Sequence, residues 1–161
     1  MMRVANFLKT GKVFALTVMM CLWGVQLMAA DGLTTIPSSH GPKDTMDRLE
    51  AAVKAKGLTV FARVDHAAGA AEVGLPLRPT ELLIFGNAKG GTPLMQAVQT
   101  IGINLPLKAL VWQDASGKTW ISYNEPGWFA KRHGLGHEVD ATVNAMTALL
   151  HALATTATTS P

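Results

Sequence analysis

The chain has 161 residues, of which 48% are hydrophobic and 16% charged, with a single cysteine. That length suits one domain on a prior of about 150 residues per domain, and the apolar content excludes an intrinsically disordered chain. The net charge of +3 traces to Arg3, Lys9 and Lys12, since the rest of the chain carries 11 basic and 11 acidic residues. No basic footprint for nucleic acid survives.

The first thirty residues read as an export signal. Three basic residues precede the apolar run 13–27, and Ala29 and Ala30 offer a small-residue cleavage site. Cleavage there sends the remainder out of the cytoplasm, so the expectation is an exported, periplasmic protein. Retention as a membrane anchor is the alternative, although Thr17, Gly24 and Gln26 interrupt a run shorter than the usual span of about 20 residues. Cys21 lies inside this segment, and Met19 and Met20 before it do not suit a lipoprotein site. The mature chain then has neither disulfide nor thiolate chemistry.

Residues 31–43, rich in Gly, Pro, Ser and Thr, read as a flexible spacer. Met46, Leu49 and Val53 predict a helix over 44–56 that stops at Gly57. Residues 58–64 alternate as a strand, and 67–73 form a short alanine-rich helix. The block Leu82-Leu83-Ile84-Phe85 predicts a central strand over 81–86, covered on both faces. Thr92 and Pro93 suit the cap and first position of a helix over 92–100.

Strands 108–113 and 118–124 flank the turn Asp114-Ala115-Ser116-Gly117. A four-residue loop sets Trp112 opposite Thr119, Leu110 opposite Ile121 and Lys108 opposite Tyr123. Short and long helices follow over 126–133 and 139–154, and 155–161 reads as a disordered tail. The single domain thus spans 44–154. Its expected class is α+β: a two-layer sandwich of about four strands in a mixed sheet, with helices packed against it.

Several of these segments resemble a known family. Leu82-Leu83-Ile84-Phe85-Gly86-Asn87, Gly90-Gly91-Thr92-Pro93-Leu94-Met95 and Leu105-Pro106-Leu107-Lys108 look like the domain-of-unknown-function 302 family. Gly117-Lys118, Ser122-Tyr123 and the upstream Phe61-Ala62-Arg63-Val64-Asp65-His66 fit the same pattern, and Ala88 departs from it where the family usually carries proline. The resemblance implies a compact α+β domain for which self-association is one expectation. It implies no established reaction, and no catalytic residues carry over.

The loop Gly86-Asn87-Ala88-Lys89-Gly90-Gly91-Thr92 leaves a strand and enters a helix, a geometry that exposes N–H groups to an anion. It lacks the lysine of a P-loop, and it also reads as a plain strand-to-helix turn. His66, at the end of the first strand, is the one candidate general base, a role that requires a cleft shared with Asn87; it also reads as a histidine bonded locally at a helix start. His133 and His137 are four apart, but the glycines between them argue against a helical metal pair. No metal or cofactor is expected.

The candidate surface is therefore His66, Asn87, Lys89, Gly90, Gly91 and Thr92. The leading expectation is binding of a small polar or anionic ligand, or a homodimeric interaction role. An enzyme using His66 as base, and an assembly module working through the hairpin edge near Trp120, are the alternatives.

Overall fold

A computed structural model describes residues 31–160; the predicted export signal lies outside them. Strand β1 (Leu33–Pro37) is followed by α1 (Pro42–Ala55), β2 (Thr59–Asp65), α2 (His66–Glu72), β3 (Thr80–Gly86) and α3 (Ala88–Ala97). A 3-10 segment (Gln99–Asn104) leads to β4 (Leu107–Gln113), β5 (Thr119–Asn124) and α4 (Pro126–Arg132). A short 3-10 turn (His137–Val139) then opens α5 (Asp140–Thr158).

The α+β class holds, with one more strand than expected and no parallel pair among the described residues. The five strands run in the order β1-β5-β4-β3-β2, every neighbour antiparallel. The extra strand is β1, inside the stretch read as a spacer. It pairs along β5, from Leu33 opposite Asn124 to Pro37 opposite Trp120, so those backbone groups are satisfied by the sheet rather than by water. Its placement also corrects the hairpin-edge idea: β5 has β1 on its outer side, and the free edges belong to β1 and β2.

One face of the sheet makes the core. Leu83 and Phe85 of β3, Leu107, Ala109 and Val111 of β4, and Ile121 and Tyr123 of β5 are buried against Met46, Leu49 and Val53 of α1 and Met146, Leu150 and Leu153 of α5. Each such large side chain contributes about 1.5–3 kcal/mol by leaving water. The other face is not covered to the same degree. Leu82, Ile84, Leu110, Trp112 and Trp120 remain partly exposed, so β3 is buried on one side where both were expected.

The hairpin register is one residue off the expected one. Trp112 faces Trp120, Leu110 faces Ser122 and Ala109 faces Tyr123. The cause is in the turn. Gly117, at φ +85°, takes the left-handed position after a tight turn closed by Gly117 N–H to the Asp114 carbonyl at 3.1 Å. Asp114 N–H then bonds the Lys118 carbonyl at 2.9 Å, which pairs Asp114 with Lys118 and shortens the loop to three residues.

The expected disordered tail is helical to Thr158, and Ala157 and Thr158 are buried. Ser39 donates from both its N–H (2.9 Å) and its hydroxyl (2.7 Å) to the Thr158 carbonyl. Arg48 of α1 donates to the Thr159 carbonyl at 2.9 Å. These donors satisfy carbonyls that a helix end leaves open, and they fix α5 to the start of α1.

A charge cluster ties α1 to the sheet. Arg63 of β2 bonds Glu81 of β3 through Nε, and its Nη1 reaches Asp47 at 2.7 Å and Glu50 at 3.1 Å. Lys43 and Lys54 pair with the same two α1 carboxylates. Hydrogen bonds from Lys43 and Arg63 hold the Asp47 carboxyl below its usual range, and Lys54 and Arg63 do so for Glu50.

Candidate functional site

The helix after β3 begins a turn earlier than Thr92-Pro93 suggested. Asn87 is the cap: its backbone is extended and its Oδ1 accepts from Gly90 N–H at 2.7 Å. Asparagine is among the best capping residues, so the Asn87 side chain decides the start and Thr92 sits inside the helix. Pro93 is interior too, where it leaves the Lys89 carbonyl without its usual donor. The anion-cradle expectation narrows as a result. Gly90 N–H is spent on the Asn87 side chain and Gly91 N–H on the Asn87 carbonyl at 3.2 Å. Only the two leading amides of the turn, on Ala88 and Lys89, stay ahead of the first intrahelical bond.

A cavity of about 490 Å³ opens beside this turn, within the roughly 300–1,000 Å³ of small-molecule sites. Gly86, Asn87, Ala88, Lys89, Gly90 and Gly91 form one wall. Thr142, Ala145, Met146 and Leu149 of α5 form another, and Leu58, Phe61, Met95, Gly102, Leu105, Pro106 and Leu107 complete it. Gly90 and Gly91 sit within ordinary contact distance of the other walls: a Cβ on Gly90 would stand 3.5 Å from Met146 Cε, and one on Gly91 3.4 Å from Leu105 Cδ1.

Phe61 reaches the cavity through a backbone irregularity. The β2–β3 register shifts between Val60 and Ala62, leaving Phe61 as an extra residue. Such a bulge bends the strand and re-aims a side chain, and the Phe61 ring edge comes to lie 4.0 Å from where a Cβ on Gly86 would be. More than half of Phe61 is exposed. It forms an open lip of the cavity.

Four of the six candidate residues, Asn87, Lys89, Gly90 and Gly91, therefore share one concavity. Thr92 is exposed and does not line it. His66 is not brought there. It is exposed at the start of α2, one residue after Asp65, which pairs with Glu81 at the beginning of β3. Asn87 follows the other end of that strand, about 20 Å away at 3.3–3.4 Å per residue. Antiparallel pairing puts these two strand ends on opposite rims, and the shared cleft required for His66 as base is absent among the described residues.

The remaining candidates have local partners. His133 meets Thr100 Oγ1 at 3.0 Å through Nδ1 and Asn104 Nδ2 at 2.7 Å through Nε2, bracing α4 against the 3-10 segment. His137 is exposed beside Asp140, whose hydrogen bond raises the imidazole pKa. No group of three metal-ligating side chains occurs among the described residues. On the open face, Trp112 and Trp120 stack with centroids 6.1 Å apart, their indole N–H groups taken by Ser122 and Asp114. Lys108 on that face donates to the Pro106 carbonyl at 2.8 Å, and burial pushes its ammonium pKa down.

The apolar side of the cavity was missed in the sequence. Its walls come from several separated segments, each of which reads alone as ordinary core. The one local signal was Leu105-Pro106-Leu107, an apolar loop segment with no evident helix or strand period.

An α+β domain with a sheet covered by helices on one face and a cavity beside the β3–α3 turn defines the class. The family model described as "Domain of unknown function DUF302" matches residues 34–153, and the chain belongs to that family. The crystal structure of an uncharacterized conserved DUF302 protein from Bacillus stearothermophilus superposes with a TM-score of 0.71, covering 80% of this chain and 99% of that one at 22% identity. That likeness shows the fold. Two curated relatives, each called "Fluoride-specific ion channel FluC 1", come from Brucella suis and Brucella abortus and are 52% identical over 115 residues. Those residues are 71% of this chain and 45% and 43% of the relatives, so the chain spans less than half the length of either. No helix among the described residues is long and apolar enough to cross a membrane.

Proposed function

We propose that this domain is a non-catalytic binding module of an exported, periplasmic protein, holding one small molecule in the cavity beside α3. The observation that carries this reading is the 490 Å³ cavity itself, which gathers Asn87, Lys89, Gly90 and Gly91 with an apolar interior. A pocket that is mostly apolar with a few convergent polar groups is the usual form of a ligand site. The Brucella relatives, which carry a matching stretch within longer proteins named as fluoride channels, support a module that also serves when joined to another polypeptide.

Native mass spectrometry of the protein as purified, compared with its denatured mass, tests the reading; a co-purified molecule lost on denaturation is the expected result. Titration with the neutral apolar dye N-phenylnaphthylamine gives a second readout. Gly86→Val adds a side chain between Pro106 and the Phe61 ring, where a Cβ has ordinary contacts of 3.7–4.0 Å, and is expected to reduce dye binding. No bound mass, together with dye binding that ignores Gly86→Val and Ala145→Phe, counts against it.

A second reading is favoured by the open sheet face. Leu82, Ile84, Leu110, Trp112 and Trp120 are apolar and only partly buried, which supports a homodimer that packs these faces together.

A further inference from the structure

We infer that the molecule held in this cavity is a small amphiphilic monoanion, with an apolar chain inside and its charge at Lys89; the inference rests on the binding reading above. Two observations carry it. Among the lining residues Lys89 is the single charged group, and no carboxylate lies within ion-pair distance of it among the described residues. The opposite walls offer Met95, Met146, Leu105 and Leu149, with the Thr142 hydroxyl as the other polar side chain besides Asn87.

An inorganic anion alone would leave those walls wet, and a neutral hydrocarbon would make no use of the ammonium at the cavity mouth. A molecule with both parts satisfies both surfaces. Methionine suits the chain, because its unbranched thioether adapts to a flexible guest. Size agrees as well: a cavity of about 490 Å³ lies within the roughly 300–1,000 Å³ of small-molecule sites.

The test is calorimetry with decanoate, decanol and acetate on the wild-type protein and on Lys89→Gln. Lys89 is exposed, so the substitution leaves the fold intact. Decanoate is expected to bind about fivefold more tightly than decanol, the contribution of an exposed charge pair, and acetate not at all. Lys89→Gln should bring decanoate to the level of decanol and leave decanol unchanged. Equal binding of decanoate and decanol, or decanoate binding indifferent to Lys89→Gln, overturns the anion assignment while leaving the cavity reading in place. Binding of N-phenylnaphthylamine without either ten-carbon probe also overturns it. Failure of the dye and both probes alike removes the cavity reading itself.

Discussion

The Trp128 indole lies directly against Gly32, so that a Cβ on the glycine would overlap the ring at its Cγ. Gly32 also has φ +76°, a conformation that side chains disfavour. Its carbonyl accepts from Glu125 N–H at 2.8 Å, and Thr34, two residues on, donates its hydroxyl to the Glu125 carboxylate. This contact docks β1 on the start of α4. Gly32→Ala is therefore expected to cost about 2–4 kcal/mol from combined backbone strain and overlap, measured by urea unfolding. Made in a Trp128→Ala background, the same substitution should cost less, because the overlap is gone and only the strain remains. A Gly32→Ala protein as stable as wild type would show that β1 is not held in this way.

That strand also marks the limit of what the sequence reveals. Leu33–Pro37 is short, flanked by Gly and Ser, and ends in proline; its strand state comes from pairing with β5, which no local pattern encodes. Elements with a strong period were legible: Met46, Leu49 and Val53 place α1, and the Leu82–Phe85 block places β3. Competing local signals misled elsewhere. Thr92-Pro93 is a sound helix start, but Asn87 offers a better cap five residues earlier. The position of His66 at a strand end suggested a cleft shared with Asn87, and the antiparallel sheet puts the two on opposite rims. The Asn87–Gly91 side of the cavity was readable because it is contiguous; Phe61, Met95, Leu105 and Met146 were not, because only tertiary packing gathers them.

Arg63 faces three carboxylates, and its removal leaves Asp47, Glu50 and Glu81 clustered. Lys43 and Lys54 compensate in part. The groups are partly solvated, so Arg63→Met is expected to cost only about 1 kcal/mol, near the upper end for exposed pairs. Repulsion among the remaining carboxylates is screened by salt. The gap between wild type and variant should therefore shrink between low and high sodium chloride in urea unfolding. A gap that does not respond to salt would assign the loss to packing of the arginine stem instead.

Asp114 organises the β4–β5 turn through both oxygens. Oδ1 accepts from the Ser116 N–H and hydroxyl and from Lys118 N–H, and Oδ2 accepts from Trp120 Nε1 at 2.8 Å. The hydrogen bonds from the Ser116 hydroxyl and the Trp120 indole hold its pKa at about 2, against an ordinary value of 3.8. A carboxyl with a depressed folded-state pKa contributes stability that is fully present above pH 3.8 and is lost as pH falls toward 2. Asp114→Asn should consequently lower stability at neutral pH and flatten the decline between pH 4 and 2. Fluorescence-monitored unfolding across that range checks it through Trp112 and Trp120. An undiminished slope in the variant would place the acid sensitivity on other carboxylates, with Asp47 and Glu50 first in line.

The open sheet face supplies the remaining prediction. Leu110 lies between Leu82 on β3 and Ser122 on β5, at the middle of the partly exposed apolar surface. A glutamate there would carry its charge into any face-to-face contact, whereas in a monomer the side chain can turn to water. Burying an unpaired charge costs several kcal/mol, enough to abolish a moderate dimer. Leu110→Glu should therefore convert a dimer to a monomer in light scattering coupled to size exclusion, with little change in far-ultraviolet circular dichroism. Glu at exposed Thr59, on the edge strand β2, serves as the charge-matched control and should leave the dimer intact. If both substitutions dissociate it equally, association runs along the β2 edge. If the wild-type protein is already monomeric at micromolar concentration, the apolar face is not a self-association surface.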